Sequence, residues 1–307
     1  MLIGLLDIDH HNYPNLAVMK LSAWHKAQGD SVEFATIFER YDVLYKSKVF
    51  TFTHDDTTCY DADKTISGGT GYQDFATLTY EVEHMMPDYG LYGINYALGF
   101  ATRGCPNKCS FCIVPKKEGG IKPNAEIYEF WQGQKKLVFM DNNIVAHAHG
   151  LRQIENTIKE NIRIDVNQGI DARIVAKDES IQKLLARAKW IDGVIRFATD
   201  HKSQIEPVKK SVEGIRKYGG KKYKIMSYVL LTNDEKDSLD RIESCREIGV
   251  DPFAQPYIDF TGSRQIPRWQ KDMARWCNNR AVFKSTTWDR YKKHDTVSLG
   301  QPVLEFG

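Results

Sequence analysis

Six cysteines stand at positions 59, 105, 109, 112, 245 and 277, and three of them, Cys105, Cys109 and Cys112, fall within eight residues. The run Thr102-Arg103-Gly104-Cys105-Pro106-Asn107-Lys108-Cys109-Ser110-Phe111-Cys112-Ile113-Val114-Pro115 spaces them C-x3-C-x2-C. Thiolates on one short loop can each reach a different iron of a cubane cluster, and such clusters normally take four cysteines. Three would leave one iron without a protein ligand, open to another molecule. Structural zinc asks instead for four tetrahedral nitrogen or sulfur ligands. His54, His147, His149 or His201 would have to supply the fourth, and none stands at a standard spacing. A four-cysteine electron-transfer cluster would need Cys59, Cys245 or Cys277 from a distance. A secreted disulfide framework would be shorter and denser in cysteine.

The elements that must carry this loop read as alternating strands and helices, which imply parallel sheets. Leu2–Ile8 is an apolar run of strand length, Pro14–Gln28 has helical periodicity, and Ser31–Thr36 and Lys48–Thr53 read as further strands. Asp56–Gly71 is rich in turn residues, Asp74–Met86 reads as helix, and Met86–Gly90 as a linker. Strands are then expected at Ile94–Ala101, Lys136–Met140, Arg163–Asn167, Gly193–Ala198, Tyr223–Leu231 and Val250–Tyr257. Helices are expected between them at Ala125–Gly133, His149–Asn161, Glu179–Ala188, Ser203–Tyr218 and Glu235–Ile248, with one more at Pro267–Asn278. The spacing, roughly 30 residues per strand and helix, is that of βα units. It suggests an incomplete (β/α) barrel, with a doubly wound sheet as the competing arrangement. Each strand of this series exits into polar residues: the cysteines; Asp141, Asn142 and Asn143; Gln168 and Asp171; Thr199, Asp200 and His201; Thr232, Asn233 and Asp234; Gln255 and Asp259. In parallel α/β folds the C-terminal strand ends face the site. The competing reading is that Asn and Asp cap the following helices and shape turns.

With Phe111 immediately before the last cysteine, the loop resembles the signature of the radical S-adenosylmethionine superfamily. Thr102 through Pro115 is similar to the branch with a cobalamin-binding-like domain ahead of the barrel, and to methylthiotransferases that modify tRNA. The resemblance implies that Cys105, Cys109 and Cys112 hold a 4Fe-4S cluster whose open iron binds S-adenosylmethionine through its amino and carboxylate groups. An electron from the cluster would cleave the sulfonium and give a 5′-deoxyadenosyl radical that abstracts hydrogen from an unidentified substrate. The protein supplies position and water exclusion. Phe111 would pack by the adenine or, alternatively, anchor the loop in the core. Asp141, Asn142 and Asn143 occupy the place of the family's Gly-Gly-Glu segment, which contacts the methionine amino group. Gln168, Asp171, Asp200 and Asn233 are candidates for ribose or carboxylate contacts. Ferredoxin or flavodoxin is the reductant such an enzyme needs. Two rival functions are a tRNA or other nucleic-acid base modifier of methylthiotransferase type, and a non-catalytic iron–sulfur binding or regulatory protein.

The fold class expected is α/β. An N-terminal open Rossmann-like parallel sheet covers residues 1–90, a partial (β/α)6 barrel 91–261 and a short helical, basic and aromatic C-terminal segment 262–307. Cobalamin domains of the branch bind cobalt through D-x-H-x-x-G; here Asp9-His10-His11-Asn12-Tyr13-Pro14 keeps Asp9 and His11 but puts Pro14 for the glycine. Proline fixes φ and removes a donor where close backbone approach is needed, so an open sheet without cobalamin is expected. Ser67-Gly68-Gly69-Thr70-Gly71 is a tight turn of the kind that borders a nucleotide tail. From Arg264 to Lys293 nine basic residues face two acidic ones, with Trp269, Trp276, Phe283, Trp288 and Tyr291 interleaved. That pattern suits single-stranded nucleic acid, but Trp269 and Trp276 stand seven apart on one helical face, so a terminal helix that packs its tryptophans and solvates its cations is the favoured reading. Across 307 residues Lys plus Arg is 42 and Asp plus Glu 40, so the net charge of +2 names no partner. No apolar run approaches the roughly 20 residues that cross a bilayer, and the N-terminus lacks the basic start of a signal peptide. A cytoplasmic protein without membrane contact is expected.

Overall fold

The structure, a computed structural model, describes residues 1–9, 13–261 and 263–292. The chain forms two compact units. The first holds Met1–Gln168, Arg187–Gly193 and Asp259–Arg264; the second holds Gly169–Ala186, Val194–Ile258 and the residues from Gln265 on.

The first unit opens with β1 (Leu2–Asp7), whose last five residues are buried. Helix α1 (Leu16–Ala27) follows, its first turn capped by the Asn15 side chain, which accepts from Val18 N–H. Ile3 and Leu5 of the strand meet Val18 and Leu21 of the helix in one apolar cluster. With β2 (Ser31–Phe34), β3 (Arg40–Ser47) and β4 (Asp61–Gly68), β1 forms a parallel sheet in the order β2-β1-β3-β4. Two expectations fail here. The third strand ends at Ser47, where Lys48–Thr53 was expected to begin, and Val49, Phe50 and Phe52 stand exposed beyond it. Tyr41 and Leu44 are the apolar residues that the sheet buries instead. The turn-rich stretch contains β4, an edge strand whose largely exposed residues are held by backbone pairing to β3.

Of the helix expected over Asp74–Met86, only α2 (Tyr80–Glu83) forms. The linker expected at Met86–Gly90 is packed. Asp88 accepts from Ser22 Oγ and Lys26 Nζ, both at 2.6 Å, and the buried Tyr89 hydroxyl donates to Phe130 O. A second parallel sheet has β5 (Ala97–Gly99), β8 (Lys136–Phe139), β9 (Arg163–Val166) and β10 (Lys189–Trp190) in the order β10-β9-β8-β5. Between β5 and β8 the short strands β6 (Thr102–Arg103) and β7 (Lys122–Pro123) pair antiparallel. Helix α3 (Val114–Lys117) lies inside that pair's loop, and α4 (Ala148–Lys159) joins β8 to β9. Ala125–Gly133 is not the helix its pattern suggests. Glu126 and Glu129 cap each other's backbone across Ile127–Glu129, closing one 3-10 turn.

The second unit contains α5 (Ala172–Val175), α6 (Glu179–Arg187), β11 (Val194–Ala198), α7 (Ile205–Lys217), β12 (Lys224–Leu231), α8 (Glu235–Glu247) and β13 (Asp251–Pro256). Its three strands are parallel in sequence order. Ile195, Phe197, Val229, Leu231 and Ala254 are buried from them. Helices α9 (Arg268–Asn278) and α10 (Arg280–Ser285) complete the unit, and Asn278 pairs its amide with both backbone groups of Ala254. The chain is thus α/β with parallel sheets, and of the six strands expected as a barrel three lie with β10 in the four-stranded sheet and three form the three-stranded sheet. No helix among the described residues is long and apolar enough to cross a membrane.

Candidate metal-binding loop

The cysteine loop leaves β6 and returns at β7, so an antiparallel pair pins both of its ends. Gly104 turns the chain at φ +79°, and a Cβ there would strike the backbone oxygens of Gly119 and Gly120; only glycine fits such a turn. Cys105 N–H donates to Gly119 O at 3.3 Å, and Cys112 N–H donates to Cys109 O at 3.1 Å. The three thiols are half-buried, and no cysteine of the chain is in a disulfide. No group of three His, Cys, Asp or Glu side chains is placed to hold a metal ion among the described residues. Phe111 is 39% exposed, so it does not anchor the loop in the core.

The exit of β8 underlies this loop. Asp141, expected among the ligand contacts, is fully buried and accepts from Ala101 N–H, Thr102 N–H and Thr102 Oγ. It staples the corner between β5 and β6, and burial pushes its carboxyl up to about 6 against those hydrogen bonds. Asn143 is buried and its Nδ2 lies 3.7 Å from Cys105 Sγ, donating to it. Asn142 Nδ2 donates to Glu118 Oε2 at 2.8 Å, and the same oxygen accepts from Gly104 N–H at 2.8 Å. Glu118 is the residue that motif reading missed. It is the sole acidic residue from Tyr89 to Ala125, amid Arg103, Lys108, Lys116, Lys117 and Lys122, and that isolation was the available signal. Gln168 is exposed beyond the end of β9.

Three expected contacts lie in the second unit. Asp171 caps α5 by accepting from Arg173 N–H, and binds the Arg173 guanidinium at 2.9 and 2.8 Å. Asp200 accepts from Leu230 N–H at 3.1 Å, and burial raises its carboxyl while Arg241 and Arg173 oppose the rise. Asn233 is exposed in the turn before α8, where Asp234 is the cap. Asp171 and Asp234 therefore follow the helix-capping reading of the strand exits. Arg241, also missed, is fully buried; it donates to Thr199 O at 3.0 Å and to Asp237 at 2.8 Å. Cys245 and Cys277 are buried thiols that burial pushes up to about 11 and about 12, whereas Cys59 is exposed. Protonated and enclosed, the first two are inert.

In the N-terminal sheet Asp9 is engaged internally, accepting from Val49 N–H, Phe50 N–H and Thr53 Oγ. A Cβ on Gly69 or Gly71 would strike Lys48. The glycine turn is closed by the chain's own backbone and is not the open border of a nucleotide tail. His10 and His11 lie outside the described residues, as does Lys293 of the basic segment. In that segment Trp276, Phe283 and Trp288 are buried against one another, with ring centroids 5.0 and 5.5 Å from Trp276. They are core and not stacking platforms.

Set against known proteins, the chain matches no family model and no curated protein. The chain's own donor chemistry is then the test of what the loop can hold. By residue type, three cysteines in no disulfide on one pinned loop match the thiolate ligands that iron–sulfur clusters take, although their side chains are not grouped around one point and one of them receives an amide hydrogen bond.

Proposed function

We propose that the chain is a radical S-adenosylmethionine enzyme. The observation that carries this reading is the C-x3-C-x2-C loop, its thiols half-buried and in no disulfide and its two ends pinned by β6 and β7. Cys105, Cys109 and Cys112 would hold three irons of a 4Fe-4S cluster. When bound, such a cluster supplies the electron that opens the sulfonium of S-adenosylmethionine to a carbon radical. The chain's own part is positional. Asn143 orients the Cys105 sulfur by donating to it, Asp141 fixes the strand corner ahead of the loop, and the exposed Phe111 ring is available to an adenine. Gln168, Asp171, Asp200 and Asn233 stay in the proposal as substrate or nucleoside contacts. So does the partial (β/α)6 barrel, supported by parallel strands with helices between them in both units. Cysteines in no disulfide suit a reducing compartment, hence a cytoplasmic enzyme served by ferredoxin or flavodoxin.

Anaerobic reconstitution with iron and sulfide, followed by dithionite and S-adenosylmethionine, is expected to yield 5′-deoxyadenosine. The Cys105→Ser, Cys109→Ser and Cys112→Ser proteins are expected to yield none and to lose the iron chromophore. A loaded cluster that never cleaves the nucleoside would favour the non-catalytic rival; zinc in place of iron would sink both.

A further inference from the structure

Glu118 ends the cysteine loop with its side chain 9% exposed, and both carboxylate oxygens have work there. Oε2 accepts from Gly104 N–H and Asn142 Nδ2, each at 2.8 Å. Oε1 lies 3.6 Å from the Arg103 guanidinium and 3.9 Å from the Lys117 ammonium. One side chain therefore holds the residue immediately before Cys105, the residue immediately before Asn143, and two of the loop's cations. Asn143 is the residue that donates to the Cys105 sulfur. We propose that Glu118 is the positioning residue of this loop, fixing Cys105 against the β8 exit and setting the charge that a bound cluster feels.

The inference rests on the function proposed above and adds a residue to it. Groups that orient a metal's ligands hold part of its affinity, and their loss typically costs about 10-fold or more. Cluster potential follows net charge and hydrogen bonds to sulfur. Arg103, Lys117 and Glu118 sum to one positive charge, and loss of the carboxylate leaves two. The reduced cluster is thereby favoured.

The test uses full-length protein reconstituted anaerobically, with apo-protein thermal unfolding as the check that each variant folds. Glu118→Ala is expected to lose iron to a chelator about 10-fold more readily than wild type. Glu118→Gln keeps an oxygen for Gly104 and Asn142 and drops the charge. It is expected to hold iron like wild type while its reduction potential, followed by electron paramagnetic resonance, rises. A merely structural residue would leave that potential where it was. An alanine variant that holds iron like wild type overturns the assignment alone. So does a glutamine variant with an unmoved potential, or one as chelator-sensitive as alanine. Wild type that takes up no iron overturns the proposed function and this assignment together.

Discussion

A carboxylate buried beside a candidate cofactor loop invites a catalytic role, and Asp141 shows why partners decide. Its oxygens are engaged by two backbone N–H groups and one hydroxyl, so it acts on the corner ahead of the cysteines. Asp141→Ala would orphan three buried donors, each worth about 1–3 kcal/mol. The expected loss of unfolding free energy in urea is therefore on the order of 3 kcal/mol or more. Burial also raises the Asp141 carboxyl to about 6, above the roughly 3.9 of an unfolded aspartate. The folded state thus binds the proton more tightly than the unfolded one. Its contribution is fully present below about pH 3.9 and is lost as pH rises through about 6, on the order of 3 kcal/mol in all. Asp141→Asn cannot titrate, so wild type should gain stability relative to it as pH falls from about 7 to about 4. A difference that stays constant across that range would show that Asp141 keeps its charge in the fold. Of the site, the three cysteines were legible because thiol spacing is itself the signal. The Asp141 role was not, because its donors are backbone groups some forty positions away in the chain.

Elements were legible where one face is apolar and the other polar. Helix α4 buries His149, Gly150, Gln153, Ile154 and Thr157 on one face, and β12 alternates buried and half-buried after its exposed first residue. Strand β4 defeats this reading because Asp61-Ala62-Asp63-Lys64-Thr65 offers no apolar run, and its backbone ladder to β3, the Arg40–Asp63 pair and the packing of Ala62 hold it instead. The β3 segment was passed over for the same reason in reverse. Arg40, Asp42 and Lys46 interrupt its apolar residues, whereas Val49, Phe50 and Phe52 make a cleaner run that the fold leaves exposed. In the second unit α8 is joined to the β11 exit by Arg241, whose guanidinium reaches Thr199 O and Asp237. Nothing in the spacing of Arg241 marks it out from the charged residues around it. Arg241→Ala removes the donor of the buried Thr199 carbonyl while Asp237 keeps Lys202 at 3.7 Å, a change that costs about 1–3 kcal/mol. Denaturant unfolding should show the midpoint fall with an unchanged slope. A change under about 1 kcal/mol would mean that surface-pair energetics apply there.

Across the whole molecule the charge is nearly balanced, and the C-terminal excess of cations is largely answered locally. Arg268 and Arg275 share Asp272, Arg280 meets Asp251, and Lys292 meets Glu235. Lys271, Lys284 and Arg290 form no ion pair with a carboxylate among the described residues. Trp276, Phe283 and Trp288 are removed from solvent, and the Trp288 indole donates to Glu235. A nucleic-acid base modifier would need stacking surfaces as well as phosphate contacts, and of the segment's five aromatic rings Trp276, Phe283 and Trp288 are enclosed, which leaves the half-buried Trp269 and Tyr291. Binding of a single-stranded oligouridine should therefore be weak. With three phosphates neutralised, log K should fall with log salt at a slope of about −2. Tryptophan emission of a Trp269→Phe protein should stay unquenched through the titration, because the segment's remaining indoles, Trp276 and Trp288, are buried and cannot reach a base. Tight binding with strong quenching and a steeper salt dependence would instead mean that the aromatic cluster opens to stack on bases. The methylthiotransferase-type rival would then regain its footing.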